Sequence, residues 1–196
     1  IWTDNADNQG KDLGYENSSL IKKLGPVYGV QWRNWDGKDQ IQELLNSLKN
    51  NPTSRRHILS AWNVAMIDKM TLPPCHLLAQ FYVSSDKSLD CHMYQRSADM
   101  FLGVPFNIAS YSLLMHILGK LLDLTPRYFI HSFGDAHIYL NSVDQVKEQI
   151  KRSPRALPKL KLPDIKDLEN LRDLSLDDFV LEGYDPHPAI RAKMAI

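Results

Sequence analysis

The cysteine at position 75 is the residue of this chain best suited to chemistry. It lies in the segment Pro-Pro-Cys-His over residues 73–76, and Arg96 follows in Tyr-Gln-Arg-Ser over 94–97. A cysteine attacks as its thiolate, and an arginine nearby favours that charged form. These residue types predict a nucleophilic Cys75 supported by a cation. The alternative is a buried, inert thiol.

A predicted hairpin explains how Cys75 and Arg96 would meet. Two strand-like runs, residues 77–84 and 88–95, are separated by the short polar turn Ser-Asp-Lys over 85–87. This pattern is typical of an antiparallel hairpin. The first strand leads the chain away from Cys75, and the second returns it to the same end at Arg96.

Composition limits the class of protein. The chain has 196 residues, of which 43% are apolar and 23% charged, as expected for one globular domain over 1–196. Lys+Arg and Asp+Glu both number 23, so no basic field favours nucleic acid as the main partner. No apolar run approaches the roughly 18 residues of a membrane span, so we expect no membrane partner.

The cysteines and histidines indicate a reduced compartment and no metal. Two cysteines do not make a disulfide framework, so a cytoplasmic location is the simplest expectation. Cys91 alternates with Leu89 and Met93 along a predicted strand, which predicts that it fills the core. The seven histidines show no ligand spacing, so we expect no metal site.

The remaining elements favour an α+β architecture, because strands and helices are mixed without strict alternation. Asp39 is the expected cap of a helix whose apolar residues recur at 41, 44, 45 and 48, and which ends at 50–52. A second helix, over about 107–124, is apolar on nearly all faces, which predicts a buried central helix. Residues 3–24 are predicted to form an irregular loop. Strands are expected at 57–63, 128–133 and 179–184, and a helix at 143–151.

Eight ordered blocks of this sequence resemble the thymidylate synthase family, and the likeness extends from Trp2 to the last residue. Such an ordered set is far more specific than any single motif. The blocks are L-G-P-V-Y-G (24–29), S-R-R (54–56), S-A-W-N (60–63), P-C-H (74–76), Y-Q-R-S-x-D (94–99), L-G-x-P-F-N-I-A-S-Y (102–111), G-D-A-H-I-Y (134–139) and G-Y-D-P-H-P (183–188), with M-A-I at 194–196.

The resemblance implies a role for each matching residue. Cys75 is expected to add to C6 of dUMP, and Arg96 to contact both the thiolate and the substrate phosphate. Ser97 is expected to donate to that phosphate, and Gln95 to belong to the substrate site. Arg55 and Arg56 are expected to reach the phosphate bound by the neighbouring subunit; taken alone, such a pair is usually a solvated turn.

The base and sugar of dUMP have their own expected contacts. The Asn107 amide can donate and accept, which matches the N3–H and O4 edge of uracil; its alternative role is that of a helix N-cap. His137 and Tyr139 are expected to bind the 3′-hydroxyl. Tyr28 and His76 are expected to order water near O4 and C5, since a tyrosine pKa of about 10 makes a poor lone base.

The resemblance also implies a folate site. Asp99, which belongs with the catalytic and substrate-contacting residues, is expected to hold the pterin ring. The apolar wall and the closing tail are expected to involve Ile1, Trp2, Leu102, Gly103, Phe106 and Ala195. The tail that ends at Ile196 would close over the folate and exclude water; its alternative is a frayed terminus.

The expected activity is reductive methylation of dUMP to dTMP with 5,10-methylenetetrahydrofolate, which gives dihydrofolate. One alternative is a dUMP hydroxymethylase, in which water replaces the hydride; Trp2 favours the synthase. Another is a non-catalytic nucleotide- or RNA-binding form. The implied fold has a large mixed sheet backed by helices, with two sheets stacked back to back in a homodimer. Family members carry a segment before Ile1, so we expect a longer native protein.

Overall fold

Residues 2–194 are described by a computed structural model of the chain. The helices are α1 (Thr3–Asn5), α2 (Tyr28–Arg33), α3 (Gln40–Asn50), α4 (Gly103–Leu122), α5 (Val143–Gln149) and α6 (Leu168–Asp173). The strands are β1 (Ile58–Ser60), β2 (His76–Val83), β3 (Ser88–Asp99), β4 (Thr125–His137), β5 (Lys159–Lys161) and β6 (Val180–Glu182). A π-helical turn covers Ala6–Gly10, and 3₁₀ turns cover Val64–Lys69, Leu140–Ser142 and Leu176–Asp178.

A mixed four-stranded sheet in the order β1-β2-β3-β4 forms the centre of the fold. Strands β1, β2 and β3 are antiparallel neighbours, which confirms the predicted hairpin. Strand β4 pairs with β3 in parallel. Parallel neighbours require a crossover connection, and α4 provides it. The α+β class with a mixed sheet is therefore confirmed, and β5 and β6 form a separate antiparallel pair.

Helix α3 forms where the periodicity predicts it. The Asp39 side chain accepts a hydrogen bond from the backbone N–H of Gln42 and so satisfies one of the free donors at the helix start. Its apolar positions are buried and pack with Leu59, Phe81, Cys91 and other residues on the inner face of the sheet. The predicted role of Cys91 as a core residue is confirmed by its complete burial.

Helix α4 differs from its prediction in two ways. It begins at Gly103 rather than near residue 107, and only one stripe of it is buried. Tyr111, Met115 and Leu118 face the sheet, whereas 44% of Ile108 is exposed. The prediction of a helix buried on all sides is therefore wrong for this chain. The helix packs on a single layer, so its opposite face lies open.

The sheet has an outer face that none of the described helices covers. Large side chains on this face are partly exposed: Ile58, Tyr82, Tyr94, Tyr128 and Ile130. Register places Tyr94 beside Leu78 and Ser132, and Ile130 beside His92. An apolar sheet face of this kind is unusual on an isolated protein surface.

Several elements differ from their predicted form or bounds. Residues 3–10, predicted as part of an irregular loop, form α1 and the π-helical turn, in which Asn5, Ala6 and Gly10 are buried. Strand β4 is seven residues longer than the predicted 128–133. Strand β5 and helix α6 have no predicted counterpart, because their short segments carry too little periodicity to be recognised.

Candidate active site

Cys75 and Arg96 meet at the end of the β2–β3 hairpin. The backbone N–H of Arg96 donates to the carbonyl oxygen of Cys75 at 2.8 Å. The Arg96 side chain turns back over the same loop: Nε donates to the carbonyl of Pro74 at 3.0 Å and Nη2 to that of Pro73 at 2.9 Å. The guanidinium thus holds the two residues that precede the cysteine. Among residues 2–194, its Nη1 has no recorded partner.

A β-bulge beside Cys75 decides which way His76 faces. His76 pairs with Gln95, but Leu78 pairs with Tyr94, so Leu77 is an extra residue in β2. Without the bulge, alternation would place residues 76 and 78 on one face. With it, His76 joins buried Gln95 on the inner face, while Tyr94 lies on the outer one.

Trp62 packs on the Arg96 guanidinium. The guanidinium carbon lies 5.5 Å from the centroid of the Trp62 ring, a cation–π arrangement. On the other side of β3, Gly134 of β4 comes close to Arg96. A Cβ at position 134 would lie 3.0 Å from the Arg96 carbonyl oxygen and 2.7 Å from the Tyr94 hydroxyl. The absence of a side chain at Gly134 therefore lets β4 approach this part of β3.

Tyr28 lies directly at the Cys75 loop. Its hydroxyl oxygen accepts a hydrogen bond from the backbone N–H of Cys75 at 2.8 Å. Burial, and then the proximity of a Cys75 thiolate, raise the pKa of Tyr28 well above its ordinary value. Tyr28 therefore keeps its proton at neutral pH.

A buried amide network holds α2, and with it Tyr28, in place. Gln31 is almost fully buried; its Nε2 donates to the carbonyl of Pro26 at 2.7 Å, and its Oε1 accepts from Asn63 Nδ2 at 2.9 Å. Gln40 Nε2 donates to the carbonyls of Gln31 and Ser60, each at 2.8 Å. These bonds tie α2 to α3 and to the end of β1.

His76 is enclosed by aromatic rings. Its imidazole stacks on Tyr28 with ring centroids 4.0 Å apart and an interplanar angle of 11°. Burial, with a smaller contribution from nearby His131, lowers the pKa of His76 to about 4. The ring is therefore neutral at neutral pH.

Gln95 and Ser97 are joined by a short network on β3. Gln95 Nε2 donates to the carbonyl of Ser97 at 2.9 Å, and Gln95 Oε1 lies 2.9 Å from His131 Nε2. The Gln95 side chain is thus oriented at both of its amide atoms. Ser97 pairs with Asp135 across the parallel β3–β4 ladder.

His137 and Tyr139 lie together at the end of β4. Their ring centroids are 4.9 Å apart in an edge-to-face arrangement. His137 Nδ1 lies 2.9 Å from Asp135 Oδ1. The parallel register brings His137 beside Asp99, so the sugar-contacting and folate-contacting candidates lie at one end of the sheet.

Asp99 and Asn107 flank Gly103 at the start of α4. Asp99 Oδ1 accepts from the backbone N–H groups of Phe101 and Leu102 at 3.0 and 3.2 Å. A Cβ at Gly103 would lie 3.5 Å from Asp99 Cβ and 3.9 Å from Asn107 Oδ1. Because α4 begins at Gly103, Asn107 lies in its second turn. The alternative of Asn107 as the N-cap is therefore wrong.

A cleft of about 430 Å³ adjoins the start of α4. The residues that line it include Leu102, Phe106, Arg152, Arg155 and His187. Of the other folate candidates, Trp2 is 40% exposed but does not line this cleft. Ile1 and Ala195, like Ile196, lie outside the described residues.

Arg55 and Arg56 precede β1 and have exposed side chains. Their backbone is held: Gln80 Nε2 donates to the Arg55 carbonyl at 3.1 Å, and the Arg56 N–H donates to Ser54 Oγ at 3.1 Å. Neither guanidinium makes a salt bridge with any residue in the part of the chain that the structure describes. The two arginine side chains are thus exposed to solvent.

Two residues at the site were not singled out by sequence reasoning, namely Trp62 and Tyr111. Both lie inside segments that match the family, at 60–63 and 102–111. Their position in those segments could have drawn attention to them. The role of an aromatic side chain depends on the group that it packs against, however, and only the tertiary structure shows that group.

Residues 2–194 offer neither a metal-binding cluster nor a membrane-spanning helix. Within that range, no group of three or more His, Cys, Asp or Glu side chains lies together as a metal site would require. Within it, too, every helix is too short or too polar to cross a bilayer.

Comparisons with known proteins agree with this geometry. A profile described as thymidylate synthase matches residues 1–196. A probable thymidylate synthase of Escherichia phage T5 is 57% identical over 197 residues, a match that covers all of this chain and 69% of that protein. The crystal structure of thymidylate synthase from T4 phage aligns with a TM-score of 0.91 at 45% identity, covering all of this chain and 70% of that one. This chain is a member of the thymidylate synthase family.

Proposed function

We propose that this protein methylates dUMP to dTMP, with 5,10-methylenetetrahydrofolate as the second substrate and dihydrofolate as the second product. The observation that carries the proposal is the junction of Cys75 and Arg96, where the guanidinium donates to the carbonyls of Pro73 and Pro74. This arrangement supports a thiolate nucleophile with a cation beside it.

In the proposed reaction, the Cys75 thiolate forms a bond to C6 of the pyrimidine. The electron pair of the C5–C6 double bond moves towards C4 and O4, so C5 becomes nucleophilic. C5 would then bond to the one-carbon group and lose its proton to water. The S–C6 bond would break, and the C5–C6 double bond re-form, as a hydride reduces that group to a methyl. Tyr28 and His76 are both neutral at neutral pH, which favours proton movement through water that they order.

Selection of the base is assigned to Asn107. An amide offers one donor and one acceptor, as the O4 and N3–H edge of uracil requires. The Asn107 side chain is only partly exposed and lies close to Gly103, so its range of orientations is limited. Arg96, through its remaining N–H groups, and Ser97 are the proposed phosphate contacts, with Gln95, His137 and Tyr139 as further substrate contacts.

A homodimer is proposed to complete the phosphate site. Arg55 and Arg56 are exposed and unpaired among the described residues, so they are available to a ligand on another subunit. The uncovered outer face of the sheet, with Tyr94 at 41% and Ile130 at 45% exposure, supports stacking of two sheets back to back.

The folate site is proposed along the start of α4. Phe106 is 58% exposed, as an aromatic wall for a flat ring requires. Only Oδ1 of Asp99 is used by the backbone, which leaves Oδ2 for N–H groups of a pterin. When bound, the folate supplies the one-carbon group and the hydride; Trp2, Leu102 and Gly103 are proposed to exclude water from it. The free thiols of Cys75 and Cys91 fit a reducing, cytoplasmic compartment.

Product identification tests this proposal. The protein is incubated with dUMP and 5,10-methylenetetrahydrofolate, and the nucleotide is read by mass spectrometry. A gain of one methyl group, with dihydrofolate formed, is the expected result. A hydroxymethyl group would instead identify the hydroxymethylase, and unchanged dUMP would count against turnover by this chain.

Two cysteine variants make the assay specific. Cys75→Ser should lower turnover at least about 10³-fold, because a hydroxyl is a far weaker nucleophile than a thiolate at neutral pH. Cys91→Ala is the matched control, since that thiol is buried in the core and burial raises its pKa to about 12. It should retain turnover.

A further inference from the structure

The hydrogen bond between Tyr111 and His76 has no role in the mechanism described so far. The Tyr111 hydroxyl oxygen lies 2.9 Å from His76 Nδ1. The two rings meet edge to face, with centroids 5.4 Å apart and an angle of 89°. Tyr111 is 2% exposed and packs against Phe129 and Trp32. The hydroxyl is therefore held at His76 from within the core.

The geometry determines the direction of this hydrogen bond. Burial raises the pKa of Tyr111, so the residue keeps its hydroxyl proton. Within residues 2–194, His76 Nδ1 is the only recorded partner of that hydroxyl. If Nδ1 carried the imidazole proton, the buried O–H of Tyr111 would have no acceptor, which costs about 1–3 kcal/mol. The hydroxyl therefore donates to Nδ1, and the imidazole proton lies on Nε2.

The other nitrogen of His76 is free to meet a ligand. His76 Nε2 has no hydrogen-bond partner among the described residues. Over residues 2–194, the fully buried side-chain N and O atoms without a partner are Thr71 Oγ1 and His131 Nδ1. His76 Nε2 is not one of them, so it keeps some exposure. The bulge in β2 places His76 on the same face as Gln95, next to Cys75 in the chain.

We propose that Tyr111 is a positioning residue that holds His76 in the Nε2–H tautomer, so that His76 presents a hydrogen-bond donor at the pyrimidine. This inference rests on the proposed function. A donor that contacts the base directly at this position suits a pyrimidine with a carbonyl group at C4. It opposes a pyrimidine with an amino group at C4, because two donors would face each other. Tyr111 thus contributes, through His76, to the choice of uracil over cytosine nucleotides.

The tautomer is measured on the ligand-free protein by ¹⁵N NMR of labelled histidines, with His76 assigned from its loss in His76→Gln. At pH 7, wild type should show an unprotonated Nδ1 and a protonated Nε2. Tyr111→Phe should show a mixture of both tautomers. A protonated Nδ1 in wild type overturns the proposal, and so does an unchanged tautomer in Tyr111→Phe. The wild-type spectrum alone shows which tautomer His76 adopts, so the proposal stays testable even if Tyr111→Phe does not fold.

Binding of dUMP and dCMP provides the second readout. Tyr111→Phe should lower the ratio of the affinity for dUMP to that for dCMP about tenfold, mainly by weakening the binding of dUMP. Tyr184→Phe removes an exposed hydroxyl outside the four-stranded sheet and the proposed site and should leave the ratio unchanged. An unchanged ratio in Tyr111→Phe overturns the specificity role. Failure of the proposed function looks different: no variant would bind or convert dUMP, while the wild-type tautomer would still be Nε2–H.

Discussion

The guanidinium of Arg96 lies under the ring of Trp62, with 5.5 Å between its central carbon and the ring centroid. The same guanidinium donates to the carbonyls of Pro73 and Pro74. Arg96 is therefore restrained on one face by an aromatic ring and along one edge by the loop that carries Cys75. Its position is set before any phosphate binds.

Replacing Trp62 should weaken dUMP binding. Trp62→Leu removes the aromatic face, which is worth about 0.5–2 kcal/mol when partly desolvated, and so should raise the Kd for dUMP about 3- to 30-fold. Trp62→Phe keeps a ring and should lie between wild type and Trp62→Leu. The Kd is measured by isothermal titration calorimetry. Equal affinities in all three proteins would show that the ring does not restrain Arg96.

Replacing Gly134 should destabilise the sheet near Arg96. A Cβ there would lie 2.7 Å from the Tyr94 hydroxyl and 3.0 Å from the Arg96 carbonyl, so Gly134→Ala should cost about 1–3 kcal/mol of unfolding free energy. Gly29→Ala is the control, because a Cβ at that helical position meets nothing within 4 Å; it should be neutral or stabilising. Urea unfolding measures both. A Gly134→Ala protein as stable as wild type would contradict the close approach.

Stability should fall in mild acid because of His76. Its folded pKa is about 4 and its ordinary value is 6.5, so between these values the unfolded state binds more protons. The contribution of neutral His76 to the unfolding free energy is fully present above pH 6.5. It is lost as the pH falls to 4, which lowers the unfolding free energy by about 3 kcal/mol. The titratable groups that face His76 are Tyr28, Tyr111 and His131. Burial also lowers the pKa of His131, so His131 makes stability fall with pH in the same sense as His76.

The unfolding free energy measured from pH 7 to pH 4 checks this expectation. His76→Gln has no titrating group at this position, so its stability should vary less over that interval. The same slope in wild type and His76→Gln would mean that another group causes the acid sensitivity.

Changing Asn107 to Asp should shift base preference towards cytosine. A protonated or water-bridged carboxyl group suits an amino group at C4, whereas the amide of Asn107 suits uracil. Asn107→Asp should lower the ratio of kcat/KM for dUMP to that for dCMP by about 10²-fold. Asn46→Asp, an amide on α3 whose Oδ1 accepts from Gln42 Nε2, is the control. A constant ratio in Asn107→Asp would argue against base reading by this residue.

Mixing two inactive chains tests whether subunits share a site. Arg55→Ala and Arg56→Ala each lack a proposed phosphate contact, and Cys75→Ser lacks the nucleophile. If equal amounts of the two chains exchange at random, half of the dimers are mixed. Each mixed dimer has one complete site of its two, with Cys75 from one chain and both arginines from the other. Activity should therefore recover to about one quarter of wild type. Activity is measured after unfolding and refolding the chains together. No recovery would count against shared sites.

Local patterns predicted the parts of the fold that depend on neighbours in sequence. The spacing of 41, 44, 45 and 48 after Asp39 predicted α3, and the polar turn at 85–87 predicted the β2–β3 hairpin. Apolar residues all around α4 could not reveal which stripe would be buried, since burial depends on the layers that pack against it. Pairing of β3 with β4 joins segments about 37 residues apart, and no local pattern encodes such a pairing.

The sequence by itself determined the family, the identity of the cysteine and cation, and the set of candidate residues, because those depend on residue type and order. Tertiary structure alone decided how they are held. The extra residue in β2 turns His76 inward; Trp62 covers Arg96; and Tyr111, 35 positions along the chain, reaches His76 Nδ1. Each of these depends on a register or a distance between remote segments, which chain order does not specify.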